Sequence, residues 1–186
     1  MHIFLVSLLF FTAAEETRIV NGATASNEQY LYQASLRNLT NVHFCGASVL
    51  NTRWVLTSAR CLSLYTNFTV VVGTHDLTTG GVTYQVETYT KHPSYDPANL
   101  SYDAGIVKTL TTIVYSSTVR SIVLAPTIPM AGTIGAVTGW GYTTYPSTTF
   151  SNQLQVLNTK LISQTECQKQ FSNLSYVLPT YSNLRV

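Results

Sequence analysis

Charge is scarce in this sequence. Only 10% of its 186 residues are Asp, Glu, Lys or Arg, against about 25% in an average soluble domain. The formal net charge of +2 is too small to indicate nucleic acid or an anionic membrane as a partner. Hydrophobic residues still make up 45% of the chain. We therefore expect a sizeable buried core, with Tyr, Thr and Ser supplying much of the surface polarity.

Further absences narrow the class of protein. The apolar run at residues 3–11 is too short to span a membrane. The three cysteines show no C-x-x-C spacing, which argues against a zinc site, and we expect no cofactor. No segment before residue 160 has helical periodicity over three turns. Short runs rich in Val, Thr and Tyr instead recur between Gly and Pro residues, at 68–73, 82–91, 106–110 and 152–161. Residues 29–36 alternate as in a half-buried strand, so an all-β protein is predicted.

The N-terminus has the pattern of a secretory signal peptide. Its apolar run leads into Thr12-Ala13-Ala14, which predicts a signal peptide over residues 1–14. A buried N-terminal strand is the alternative interpretation. Four N-x-[ST] sequons agree with a secreted, extracellular protein and are candidate glycosylation sites: Asn38, Asn67, Asn99 and Asn173.

The most informative stretch is Trp54-Val55-Leu56-Thr57-Ser58-Ala59-Arg60-Cys61. It resembles a signature of the chymotrypsin/trypsin-like serine peptidases. In that family an apolar strand leads into a Thr-Ala-Ala-type turn, the catalytic histidine and a cysteine. Here Arg60 stands at the position of the histidine, unless the alignment is shifted by a few residues. A guanidinium stays protonated at ordinary pH and offers only donors, so Arg60 is not expected to act as the general base that this chemistry requires.

Four other motifs extend the resemblance in the right order. They are the activation-type junction Arg18-Ile19-Val20-Asn21-Gly22, then Cys45-Gly46-Ala47-Ser48, then Tyr102-Asp103-Ala104-Gly105, and finally Thr138-Gly139-Trp140-Gly141. The resemblance implies two antiparallel β-barrels with the active site between them. It implies an activation propeptide at 15–18 with cleavage between Arg18 and Ile19, a first barrel at 19–118 and an incomplete second barrel at 119–186.

A short helix near residues 164–171 is predicted by its start. Ser163 followed three residues later by Glu166 resembles a capping box. The helix would carry Cys167, which is the third cysteine. The resemblance implies a Cys45–Cys61 disulfide. Cys167 would then lack a partner, form an intermolecular bond or remain a free thiol.

Asp103 is the candidate for the acid of the catalytic triad. It follows Arg60 by 43 residues, close to the spacing of about 45 between histidine and aspartate in the peptidase template. A surface turn aspartate is the alternative. His43, two residues before Cys45, is interpreted as structural rather than catalytic.

The resemblance implies an endopeptidase homologue whose activity is in doubt. The template places the serine nucleophile about 90 residues after the aspartate, beyond Val186, and no Gly-Asp-Ser-Gly-Gly-Pro or G-x-S-x-G motif occurs. The first hypothesis is a catalytically inactive homologue that binds a protein substrate, an inhibitor or a peptidase partner. The alternatives are an incomplete isoform or partial gene product, and an active endopeptidase with an unusual base.

Overall fold

The computed structural model describes residues 22–26, 28–143 and 149–171. Within them the chain is almost entirely β-structure. Nine strands and one α-helix follow in order: β1 Ala23–Thr24, β2 Gln33–Arg37, β3 His43–Val49, β4 Trp54–Thr57, β5 Thr69–Val72, β6 Val82–Lys91, β7 Gly105–Thr109, β8 Ile134–Gly139, β9 Gln155–Lys160 and α1 Gln164–Phe171. The segment Cys61–Ser63 forms a single 3-10 turn. None of the described helices is long and apolar enough to cross a membrane.

Six strands close into an antiparallel barrel in the order β2-β3-β4-β7-β6-β5, with β5 returning to pair with β2. Successive side chains of a strand point to opposite faces, so every second side chain lies inside the barrel. The barrel core is therefore built from small β-branched and aliphatic residues, among which Leu36, Val49, Val55, Val70 and Val107 are fully buried. Closure leaves none of these six strands with an unpaired edge.

The second sheet has three strands in the order β1-β9-β8. Its small core forms around Trp140, which is 1% exposed and packs with Ala25, Leu154 and Val156. The pairing of Ala23 with Val156 places the beginning of the chain's described part in this sheet. The predicted first barrel, 19–118, therefore differs from the observed one at its start, because β1 pairs across the molecule and not with its neighbours in sequence.

Hydrogen bonds join the barrel to the second sheet along a seam. The Trp140 indole Nε1 donates to the carbonyl of His75 at 3.0 Å, and Thr138 Oγ1 donates to Gln33 Oε1 at 2.7 Å. Gln153 Nε2 donates to the Asp76 carboxylate at 2.7 Å. Thr138 covers Gln33 on the outer face of β2, whose inner face lines the barrel core, and all five residues of β2 are buried. The prediction of a half-buried strand at 29–36 was wrong in this respect, because the second sheet covers the face that would otherwise meet solvent.

The helix begins where the capping box predicted. The backbone amide of Glu166 donates to Ser163 Oγ at 3.1 Å, satisfying one of the free amides of the first turn. The helix spans Gln164–Phe171 and carries Cys167, which is a free cysteine.

Candidate active site

Arg60 lies at the point where strand β4 leaves the barrel wall. The turn after Thr57 is held by two local hydrogen bonds, from the Cys61 amide to Ser58 Oγ at 3.1 Å and from Ser63 Oγ to the carbonyl of Ala59 at 3.1 Å. Ala59 is fully buried, so the turn is anchored below while the Arg60 side chain is exposed. A disulfide between Cys61 and Cys45, with Cα atoms 6.1 Å apart, ties this turn to β3. It is the pairing that the resemblance implies, and a loop of this length stabilises the fold by about 3 kcal/mol in the chain-entropy model.

The structure brings Asp103 to the backbone of Arg60. One carboxylate oxygen of Asp103 accepts a hydrogen bond from the Arg60 amide at 2.7 Å. The Arg60 guanidinium makes no hydrogen bond or ion pair with any residue in the described part of the chain. Asp103 therefore positions the turn itself, and no described histidine is joined to it by a hydrogen bond.

The approach of these two residues depends on Gly105, the first residue of β7. Gly105 pairs with Thr57 across β4 and β7. A Cβ atom at Gly105 would lie 2.5 Å from Leu62 Cδ1 and 3.2 Å from the carbonyl oxygen of Thr90. A side chain at residue 105 would therefore push the 3-10 turn and Leu62 away from β7, close to the contact between Arg60 and Asp103.

The loop before Asp103 is folded back on itself. The amide of His92 donates to the carbonyl of Ala104 at 2.8 Å, and the His92 ring stacks on Tyr102 with centroids 4.8 Å apart. Leu100 and Tyr102 both have positive φ, 56° and 54°, a conformation that is rarely adopted by non-glycine residues. The contacts of His92 stabilise this unfavourable backbone conformation directly beside Asp103.

Tyr95 shares the electrostatic environment of the site. Its pKa is raised, first by burial and then by the negative charge of Asp103, while the positive charge of Arg60 acts in the opposite direction. The phenol therefore stays protonated at neutral pH and can serve as a hydrogen-bond donor, not as a base.

The three described histidines have hydrogen-bond partners away from Asp103. His43 bonds Ser35 Oγ through Nδ1 at 2.8 Å, and His75 Nε2 lies 2.7 Å from the carbonyl of Gln29. His92 Nδ1 accepts from the amide of Ser94 at 3.1 Å. Each of these three histidines forms its hydrogen bond with another residue. None of them is joined to Asp103 by a hydrogen bond or ion pair in the described residues.

Other candidate features lie apart from this pair. No group of three or more metal-binding side chains occurs among the described residues. An open groove of about 490 Å³ on the outer wall of the barrel is lined by Asn67 and by residues of β6, and neither Arg60 nor Asp103 contributes to it. Asn67 and Asn99 are exposed and Asn38 is half-buried. Arg18, Ile19 and Asn173 lie outside the described residues.

Sequence reasoning did not single out Arg37, and it assigned His43 only a structural role. Both belong to a buried polar cluster on the outer face of β2. The available signal was the alternation of polar side chains at Gln33, Ser35 and Arg37, which ordinarily indicates a solvent-facing side. It could not show that a second sheet covers this side.

A closed six-stranded barrel, joined at a seam to a second antiparallel sheet, with an aspartate held against the turn after β4, defines a chymotrypsin-like serine peptidase domain. The comparisons with known proteins agree. The family model described as Trypsin matches residues 19–182, and the chain belongs to the trypsin family.

Three similar proteins illustrate the match. Trypsin of Xenopus laevis is 31% identical over 90% of this chain and 70% of its own length. Trypsin 5G1 of Aedes aegypti is 34% identical over 83% of this chain and 59% of its own length. The solved structure of neuropsin, a serine protease expressed in the limbic system of mouse brain, aligns with a TM-score of 0.77 at 27% identity, covering 82% of this chain and 69% of its own. The chain thus spans about 60–70% of the length of such relatives.

Proposed function

We propose that this secreted trypsin-family protein acts by binding another protein and not by hydrolysing it. The partner would be of the classes that the family engages: a protein substrate, a protein inhibitor or another peptidase. The observation that carries the proposal is Arg60, exposed at the position of the catalytic base with its amide on Asp103. Arg60 follows strand β4 of the barrel, so it would stand at this position in a longer natural protein as well.

The loss of the base is decisive for the chemistry. A serine hydroxyl needs a neighbouring group that accepts its proton near neutral pH, and a guanidinium offers only donors. Removing the histidine from an intact triad costs about 10⁶ in kcat. What the site retains is a shaped surface with an exposed cation, the Tyr95 phenol and the His92–Tyr102 stack, all of which suit recognition of a polypeptide.

The extracellular location is part of the same proposal. It is supported by the signal-peptide pattern at 1–14 and by the Cys45–Cys61 disulfide, since such bonds persist in oxidising compartments. Cleavage at Arg18–Ile19 and glycans at the four sequons are further proposals on the same grounds.

The experiment has two arms on the purified chain. A fluorophosphonate probe and a peptide ester report on activity, and an immobilised protein inhibitor of trypsin, a denatured protein substrate and trypsin itself report on binding. We expect no labelling and no turnover by wild type. We expect saturable binding to one of the three immobilised proteins.

Arg60→Glu supplies the matched test of the surface. The substitution reverses an exposed charge while the amide that bonds Asp103 is kept, so it should weaken binding by about tenfold without changing the melting temperature by more than a degree or two. Stoichiometric labelling of a serine that is lost on denaturation would establish the active-peptidase alternative. Absence of binding to all three proteins would refute the binding role.

A further inference from the structure

A row of polar side chains is buried on the outer face of β2. Because residues alternate along a strand, Gln33, Ser35 and Arg37 share one face, and they are 7%, 0% and 4% exposed. Gln33 is satisfied by Thr138 of the second sheet. The rest of the row lies beside His43, whose ring meets Trp140 and Phe150 edge-on at 5.1 and 5.6 Å.

Arg37 is a buried cation without a counter-ion. Its Nε donates to Ser35 Oγ at 3.1 Å and its Nη1 donates to Asn41 Oδ1 at 3.2 Å. Its Nη2 has no partner, and it is the single buried side-chain nitrogen or oxygen in that condition among the described residues. The described residues place no carboxylate within ion-pair distance. Asp76 acts on Arg37 only at longer range, and its own oxygens bond Thr78 and Gln153.

The corner around Ser35 is rich in donors from Arg37. Arg37 Nε can only donate, so Ser35 Oγ accepts from it, and the same oxygen lies 2.8 Å from His43 Nδ1. Burial, together with the positive charge of Arg37, lowers the pKa of His43 to about 4, so the ring is neutral at pH 7 and adds no second positive charge.

An unpaired buried guanidinium is costly, and its planar arrangement of N–H groups matches a carboxylate. We propose that Arg37, at the seam between the barrel and the second sheet, binds the oxygens of a carboxylate group through its free Nη2. Two sources have this chemistry: a small carboxylate from solvent, or an acidic side chain or C-terminus of a polypeptide. Nη2 is itself buried, so the carboxylate reaches it only if the neighbouring β2–β3 turn, where Asn41 and Val42 are exposed, moves aside. The site is separate from Arg60 and Asp103 and does not depend on the proposed binding function.

The test is titration of the full chain at pH 7 and constant ionic strength, with acetate replacing chloride in one arm. The second arm adds the blocked tripeptide acetyl-Gly-Asp-Gly-amide. Binding is followed by the NMR signals of the His43 ring and by the melting temperature. We expect saturable shifts in at least one arm. Peptide binding at least tenfold tighter than acetate identifies a polypeptide source, and equal or weaker peptide binding identifies a small anion.

Arg37→Met should weaken the binding by at least about tenfold. Methionine covers the apolar part of the arginine stem and removes the buried charge, so this variant should fold. Arg120→Met removes an exposed arginine and should bind as wild type does. Absence of saturable shifts in both arms overturns the proposal, as does an unchanged affinity in Arg37→Met.

Discussion

The closed barrel and the three-stranded sheet differ in whether their strand edges are paired. In the barrel every strand has two neighbours, and its core residues are shielded on all sides. In the described part of the second sheet, β8 pairs only with β9. Its apolar side chains Ile134 and Val137 are 62% and 53% exposed. Short β-branched strands therefore stabilise the fold more in the closed barrel, where their side chains are buried, than in the second sheet, where those of β8 remain exposed.

The largest expected contrast is between the two cores. Leu36→Ala removes a fully buried side chain from the barrel and should lower the free energy of unfolding by about 2–5 kcal/mol. Ile134→Ala on β8 should change it by about 0.5 kcal/mol or less, because the side chain is already mostly in water. Urea unfolding of both variants measures the difference. Equal losses would show that β8 is covered in solution and would remove the contrast.

A second contrast uses two glycines. Gly105→Ala forces a Cβ against Leu62 and the Thr90 carbonyl, which should cost about 1–3 kcal/mol through overpacking. Gly139→Ala on β8 meets nothing within 4 Å and serves as the control, with little expected change. Loss of the Arg60 amide's protection from hydrogen exchange in Gly105→Ala would show that the glycine positions the Asp103 contact. Retained protection, together with full stability, would contradict that role.

The smallest expected effect is a pH dependence of stability at the seam that joins the two regions. The pKa of His43 is lowered to about 4, first by burial and then by Arg37, against about 6.5 in an unfolded chain. The unfolded state therefore binds more protons between pH 4 and 6.5. The stability from neutral His43 is complete above pH 6.5 and is lost as the pH falls towards 4. Allowing for partial exposure, we expect a loss of about 1–2 kcal/mol across this window.

His43→Gln should flatten that pH dependence, measured by thermal unfolding between pH 4 and 8. His92→Gln, in an exposed loop of the barrel, leaves the burial of His43 untouched and should keep the wild-type slope. An unchanged slope in His43→Gln would mean that the seam is open to water around this ring.

Much of the barrel could be predicted from the sequence because its signals are local. Alternating β-branched runs located most strands within a few residues, and Ser163 with Glu166 located the helix start. Residues 29–32 were included in a strand that begins only at Gln33. Tyr30 has a φ of 54°, which is typical of a turn, but a tyrosine side chain does not predict a turn from the sequence. The burial of Gln33 could not be predicted, since its partner Thr138 in the second sheet lies 105 residues further along the chain.

The sequence by itself determined the family and the absence of a histidine at residue 60, because motif order and side-chain chemistry are properties of the chain. It also determined that residue 60 carries a permanent cation, whatever the surrounding fold. Only the tertiary structure decided that Asp103 holds the Arg60 backbone, that β1 joins the second sheet and that Arg37 is enclosed without a counter-ion. Each of these features depends on which distant strands pair and which of their faces become covered. Strand pairing and coverage are decided when the barrel closes and packs, and no local sequence pattern encodes them.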